Sequence, residues 1–152
     1  MVTKMYDYKC NVVRVVDGDT VDVDIDLGFG IWMRDERVRV MGIDTPESRT
    51  RDLVEKQFGL AAKERLKSLL GESSVLRTMV SKSGEDMKGK FGRILGDFDV
   101  YDSKTDSWVA ATKVMIEEGH AVLYHGQNKD EIADAHLANR ERLWEEGVVP
   151  RG

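Results

Sequence analysis

The chain has a single cysteine among 152 residues, so it can form no internal disulfide and suits a reducing interior. Cys10 reads as a small strand residue. No apolar run approaches the roughly 20 residues that a membrane-spanning helix needs, which leaves no place for a membrane. The first ten residues carry no apolar signal region, so the chain as given is expected to be cytoplasmic or otherwise intracellular, and secreted only if a leader was removed. Repeats, linkers and low-complexity stretches are absent, and the length suits one compact domain over residues 1–152, with its core at about 12–146. Excess positive charge is missing as well. A net charge of -5 and a pI near 5.3 argue against a protein that holds nucleic acid by global electrostatics. The distribution of charge matters more than its sum. Arg49 and Arg51 form one basic stretch and Lys82, Lys88, Lys90 and Arg93 another, while much of the acid lies elsewhere.

What is present begins with strand periodicity. Residues 12–27 alternate with period two, broken at Asp17-Gly18 by a turn or bulge signal. Val21, Val23, Ile25 and Leu27 fall on one face, with Asp19 in phase, and Thr20, Asp22, Asp24 and Asp26 on the other. The three aspartates are expected on a solvated face. They imitate a calcium loop, but that motif needs Gly where Leu27 stands and Glu where Met33 stands. Residues 31–43 read as one or two further strands, with Val38 and Val40 on one face and Arg37, Arg39 and Met41 on the other. Pro46 stops the strand and biases Thr45 to an extended conformation.

Over Leu53–Leu70 the period becomes helical, with Val54, Phe58, Ala61, Ala62, Leu66 and Leu69 on one stripe, Asp52 as N-cap and Gly71 as the stop. Residues 74–80 form a short strand, 81–87 a polar loop, and 91–100 a strand with close-approach points at Gly92 and Gly96. A second helix is expected over residues 108–118, with Trp108, Ala111 and Met115 inward and Gly119 ending it. A brief strand over 120–124 precedes a third helix over 128–146, which offers Ala133, Leu137 and Trp144 for packing. This order predicts an α+β domain on a small, mostly antiparallel sheet.

The chemistry concentrates in residues 39–47, Arg-Val-Met-Gly-Ile-Asp-Thr-Pro-Glu, with Asp17-Gly18-Asp19-Thr20 as a second acidic turn able to meet it across a sheet. Two carboxylates brought together repel, and a hard divalent cation removes that cost, so Asp19, Asp44 and the Thr45 carbonyl make a candidate metal site. Each motif taken singly is more often a plain turn. Glu47, held beyond a proline, can act as general base on a water, and Arg39 and Arg93 can each offer a planar donor fork to phosphate oxygens. Either arginine alone would read as a surface ion pair. His120, His125 and His136 show no metal-ligand spacing and read as ordinary surface or partly packed histidines.

Residues 39–47, preceded by Asp-Gly-Asp-Thr and followed by Lys90-Phe91-Gly92-Arg93, resemble the staphylococcal (micrococcal) nuclease family, also called thermonucleases. Glu117-Glu118-Gly119-His120-Ala121 and a final charged helix extend the likeness, which covers roughly residues 12–144. The resemblance implies a five-stranded OB-fold β-barrel with three α-helices. It implies calcium-dependent hydrolysis of DNA and RNA phosphodiesters to 5′-hydroxyl and 3′-phosphate ends. A monomer that takes DNA or RNA as substrate is expected. Carried over by position, Asp19, Asp44 and Thr45 correspond to the metal ligands, Glu47 to the general base, Arg39 to the phosphate-binding arginine and Arg93 to the arginine near the leaving group. Lys88, Lys90, Phe91 and Tyr124 are the substrate-binding candidates. The alternative is a non-catalytic OB-fold module that binds nucleic acid or protein.

Overall fold

The computed structural model describes residues 5–79 and 94–151. Its first strand, β1 (Met5–Asp17), serves two neighbours. Residues 5–11 pair antiparallel with β5 (Ser73–Met79), and residues 10–17 pair with β2 (Thr20–Gly28). β2 turns back into β3 (Ile31–Val40), and β5 pairs antiparallel with β6 (Ile94–Asp102). The ring closes where β3 lies parallel to β6, through Val38↔Ile94, Arg39↔Leu95 and Val40↔Gly96. Register shifts along β1 and β2 supply the extra twist that long strands need to curl into a closed barrel. A Cβ on Gly96 would sit 2.7 Å from the Arg77 carbonyl oxygen, so glycine lets β6 approach β5 closely there, as the sequence suggested.

Alternation along these strands places Val21, Val23, Val38, Val40, Leu76 and Phe98 inside the barrel, fully buried. The helix α1 (Leu53–Leu70) adds Ala62 and Leu66 to that core. Its bounds follow from its caps. The Asp52 carboxylate accepts from the Val54 and Glu55 amides, and Gly71, at φ 65°, ends it where a side chain would be strained. Three short elements, β4 (Ile43–Asp44), β7 (Ser107–Ala110) and β8 (Val122–Leu123), and two helices, α2 (Ala111–Glu117) and α3 (Lys129–Glu145), complete the described chain. The α+β barrel with three helices agrees with the expected fold.

The elements and their buried faces differ from the sequence reading at five places. β1 begins at Met5, because pairing with β5 extends a segment that local pattern leaves unassigned. Leu27 and Val54 sit at element ends and are exposed. Residues 107–110 are strand and not helix: Trp108 lies opposite Tyr101 on β6, their rings edge to face at 5.8 Å, and Trp108 remains 67% exposed. The helix that follows is short and has no side-chain cap of its own. Asp97 on β6 supplies one, accepting from the Thr112 amide at 3.4 Å and from the Thr112 hydroxyl at 2.6 Å. Burial nevertheless pushes the Asp97 carboxyl above its ordinary value. On α3, Ala133 and Leu137 face solvent, and the helix is anchored by Leu143 and by Trp144, whose ring meets Phe58 at 5.3 Å.

The fifth difference is Asp22. It is 2% exposed, because Arg14 on β1 and Arg37 on β3 close over it from both neighbouring strands. Arg37 donates through Nε at 2.8 Å and Nη2 at 3.1 Å, and Arg14 through Nε at 2.7 Å. Asp24 is also engaged, by Arg34 and the Asp35 amide. The Arg37 hydrogen bonds hold the Asp22 carboxyl below its ordinary value of 3.8. A lowered folded pKa contributes stability that is present above the unfolded value and lost as pH falls through the folded one. Urea unfolding of wild type and Asp22→Asn should therefore differ clearly at neutral pH, and the difference should shrink as pH drops below about 3.8. A gap that stays constant to lower pH would show that the ion pairs contribute nothing.

Candidate active site

Two turns meet at one mouth of the barrel. Gly18 and Asp19 connect β1 to β2, and the Asp19 carbonyl accepts from the Val40 amide at 2.8 Å, tying that turn to the end of β3 beside Arg39. A Cβ on Gly18 would lie 2.8 Å from the Ala62 Cβ and 3.0 Å from the Thr45 Cγ2, so only glycine lets this turn press against α1 and the second turn together. That second turn follows β4, where Asp44 pairs opposite Val122 of β8 before Pro46 stops the strand.

The Asp19 carboxylate is engaged on both oxygens. Oδ1 accepts from the Thr20 hydroxyl at 3.0 Å, and Oδ2 lies 3.4 Å from the Thr45 amide nitrogen and 3.4 Å from Nη2 of Arg39. Nη2 also donates to the Ile43 carbonyl at 2.8 Å, and Nη1 donates to the Val40 carbonyl. Arg39 is thus a half-buried guanidinium fixed by three oxygens, one from the Asp19 carboxylate and two from the backbone. A hollow of about 340 Å3 beside it is bounded by Met41, Gly42, Tyr124 and His125, with Tyr124 held by its amide to the Gly42 carbonyl at 2.8 Å.

The loop that carries Glu47 is fastened at its backbone while its side chain stays exposed. The Glu47 amide donates to Oε2 of Glu55, in the first turn of α1, at 2.9 Å. Buried Ser48 donates through its amide at 3.3 Å and through its hydroxyl to Oδ1 of Asp17. Behind the loop, Gly59 of α1 comes so close that a Cβ there would sit 2.2 Å from the Glu47 carbonyl oxygen. Partial loss of water raises the Glu47 carboxyl above its ordinary value of 4.5, and the fields of Asp17, Asp19, Glu55 and Asp44 raise it further.

Such crowding of negative charge is what a hard divalent cation relieves. Among the described residues no three His, Cys, Asp or Glu side chains form an all-side-chain cage. An ion here would combine the carboxylates of Asp19 and Asp44 with backbone oxygen and water, the mixture that calcium and magnesium accept. The Thr45 hydroxyl, next to Asp44 in the chain, is buried with no hydrogen-bond partner and marks a polar spot that the protein leaves unsatisfied. The donor set fits the expected ion.

Residues 37–144 match the family described as staphylococcal nuclease homologue. The chain belongs to that family. An uncharacterized endonuclease of Escherichia coli is 28% identical over 137 residues, which cover 90% of this chain and 74% of that protein. A micrococcal nuclease of Shigella flexneri is 30% identical over 144 residues, covering 90% and 72%. A thermonuclease of Staphylococcus intermedius is 36% identical over 84 residues, covering 55% and 44%.

Of the residues the sequence singles out in this staphylococcal nuclease homologue, the fold brings Arg39, Asp19, Asp44, Thr45 and Glu47 to one mouth, with Tyr124 alongside. Lys88, Lys90, Phe91 and Arg93 lie outside the described residues, as do the loop at 81–87 and Gly92. Sequence reasoning passes over Glu55, Ser48 and Gly59, which hold the Glu47 loop. The one local signal is the acid in the first turn of a capped helix, which points its charge at preceding backbone amides. His120 is buried, and burial pushes its pKa down; His125 is exposed. Both suit the ordinary roles expected of them. His136 does not, for its Nε2 lies 2.6 Å from Oδ2 of Asp44.

Proposed function

We propose that this chain, a hydrolytic endonuclease by family, is a calcium-dependent phosphodiesterase of low sequence specificity acting on DNA, RNA or both. The observation that supports this best is the meeting of a pinned guanidinium, two turn aspartates and a third carboxylate of raised pKa at one barrel mouth. Arg39 binds a phosphate oxygen, and its fixed position means that little ordering is left to do when substrate arrives. Glu47 takes the proton of a water as its oxygen forms a bond to phosphorus. The bond from phosphorus to the 5′ oxygen breaks and that oxygen takes a proton from solvent water, leaving a 3′-phosphate and a 5′-hydroxyl. Arg93 is the group assigned near the leaving oxygen. Calcium, held by Asp19, Asp44 and the Thr45 carbonyl, would supply positive charge against the negative charge that builds on the phosphate. Tyr124 flanks the hollow beside Arg39 and can support a base or sugar there.

An acidic chain has a smaller electrostatic footprint on nucleic acid, so binding should be weak with a shallow salt dependence, and single strands or short substrates preferred. Cleavage of single-stranded DNA, double-stranded DNA and RNA in calcium, magnesium, manganese or chelator tests the proposal. Turnover should require a divalent ion and disappear with chelator, and Asp19→Asn should raise the calcium concentration needed. Nucleic acid bound without turnover under every ion would make the chain a binding module instead.

A further inference from the structure

We infer that His136 is a positioning residue for Asp44, holding one carboxylate oxygen so that the other is presented in a fixed direction to a divalent cation. This rests on the reading of Asp19 and Asp44 as the metal site. The contact joins residues 92 apart in the chain, at 2.6 Å, with the imidazole largely shielded from solvent. A carboxylate oxygen only accepts, so the ring carries its hydrogen on Nε2. Among the described residues nothing else bonds the Asp44 side chain, which leaves Oδ1 as the oxygen available to an ion.

The imidazole is itself well placed to hold direction. It lies two turns into α3, whose start is capped by Asn128 accepting from the Glu131 amide at 2.9 Å. Asn139, one turn further on, donates to the Ala121 carbonyl at 3.4 Å, beside the strand that pairs with Asp44. Leu143 buries the far end of the helix. Without His136, Asp44 would sit on a two-residue strand at the barrel mouth with free rotation about its side-chain bonds. Partners that orient a metal-binding carboxylate typically change metal affinity by about 10- to 100-fold.

Calorimetric titration of calcium into wild type, His136→Leu, His136→Gln and Asp19→Asn at one fixed pH tests this without reference to turnover. His136→Leu should bind calcium about 10- to 100-fold more weakly. His136→Gln, which keeps an N–H donor at similar reach, should recover most of the loss. Melting curves without calcium identify a variant that fails to fold, in which case His136→Asn takes its place. In the nuclease assay, the calcium concentration for half-maximal rate should rise with the dissociation constant, while kcat at saturating calcium stays near wild type. Equal calcium affinity in His136→Leu and wild type would overturn the inference. Tighter binding in that variant would also overturn it, by showing that the imidazole holds Asp44 away from the ion. A wild-type protein that binds no calcium, or binds it regardless of Asp19→Asn, would overturn the metal-site reading and this inference with it.

Discussion

Glu47→Gln is expected to lower kcat by about 10²- to 10⁴-fold, the range a positioned general base contributes, while leaving the protein folded. The substitution keeps the size of the side chain and removes only its ability to take a proton. Its effect on stability should be neutral or favourable. The Glu47 carboxyl is raised by partial loss of water and by four neighbouring acids, so its ionised form is disfavoured in the folded state. A group with a raised carboxyl pKa weakens the fold as pH climbs above its unfolded value, and glutamine removes that charge. The metal-free variant should therefore melt no lower than wild type at pH 7. In wild type, carboxyl NMR should place Glu47 above 4.5 without calcium and lower with it, because a nearby cation favours the ionised form. On the acid side the rate should rise with pH as that proton leaves. A kcat within severalfold of wild type in Glu47→Gln would remove Glu47 from the chemistry.

Gly59→Ala should damage activity more than stability. In an isolated helix the change would help by about 1 kcal/mol, since glycine is the costlier residue to order. Here the added carbon would lie 2.2 Å from the Glu47 carbonyl oxygen, 2.4 Å from its carbon and 2.6 Å from the Ser48 nitrogen. Those are backbone atoms, and Ser48 is already fastened to Asp17, so the loop cannot swing aside cheaply. Overpacking of this kind costs typically about 1 to 3 kcal/mol, which exceeds the helix gain. Relief of the clash must move α1 or the loop, and a displacement near 1 Å at a catalytic group costs about 10²-fold in rate. The measurement is paired melting curves and kcat for wild type and Gly59→Ala. An alanine variant that is fully active and more stable would mean that α1 does not set the position of Glu47.

Elements governed by nearby residues are legible in the sequence. β2 follows from its alternation, and α1 from its stripe together with Asp52 and Gly71, each a local device with local partners. The acidic turns are legible too, because Asp-Gly and Thr-Pro favour turns wherever they occur. Elements decided by distant partners are not. The first half of β1 becomes strand through β5, and Ser107–Ala110 becomes strand through β6. Asp22 reads as solvated because nothing in its own strand announces Arg14 and Arg37 folding over it. His136 carries no motif at all, and only the docking of α3 beside β4 gives it a role. Gly59 resembles a tolerated helix glycine until the loop it touches is known.

The parallel seam between β3 and β6 bears on how the chain is made. A ribosome releases β1, β2 and β3 as an open meander, and the strand that closes the ring is complete only roughly 60 residues later. At about 5–20 residues per second, the unpaired edges of β1 and β3 wait several seconds for β5 and β6. During that interval the nascent chain has Asp19, Arg39, Asp44 and Glu47 in hand but no barrel mouth to gather them, and His136 is still to be translated. The mouth that gathers these residues therefore exists only after β6 has joined β3 and β8 has paired with β4.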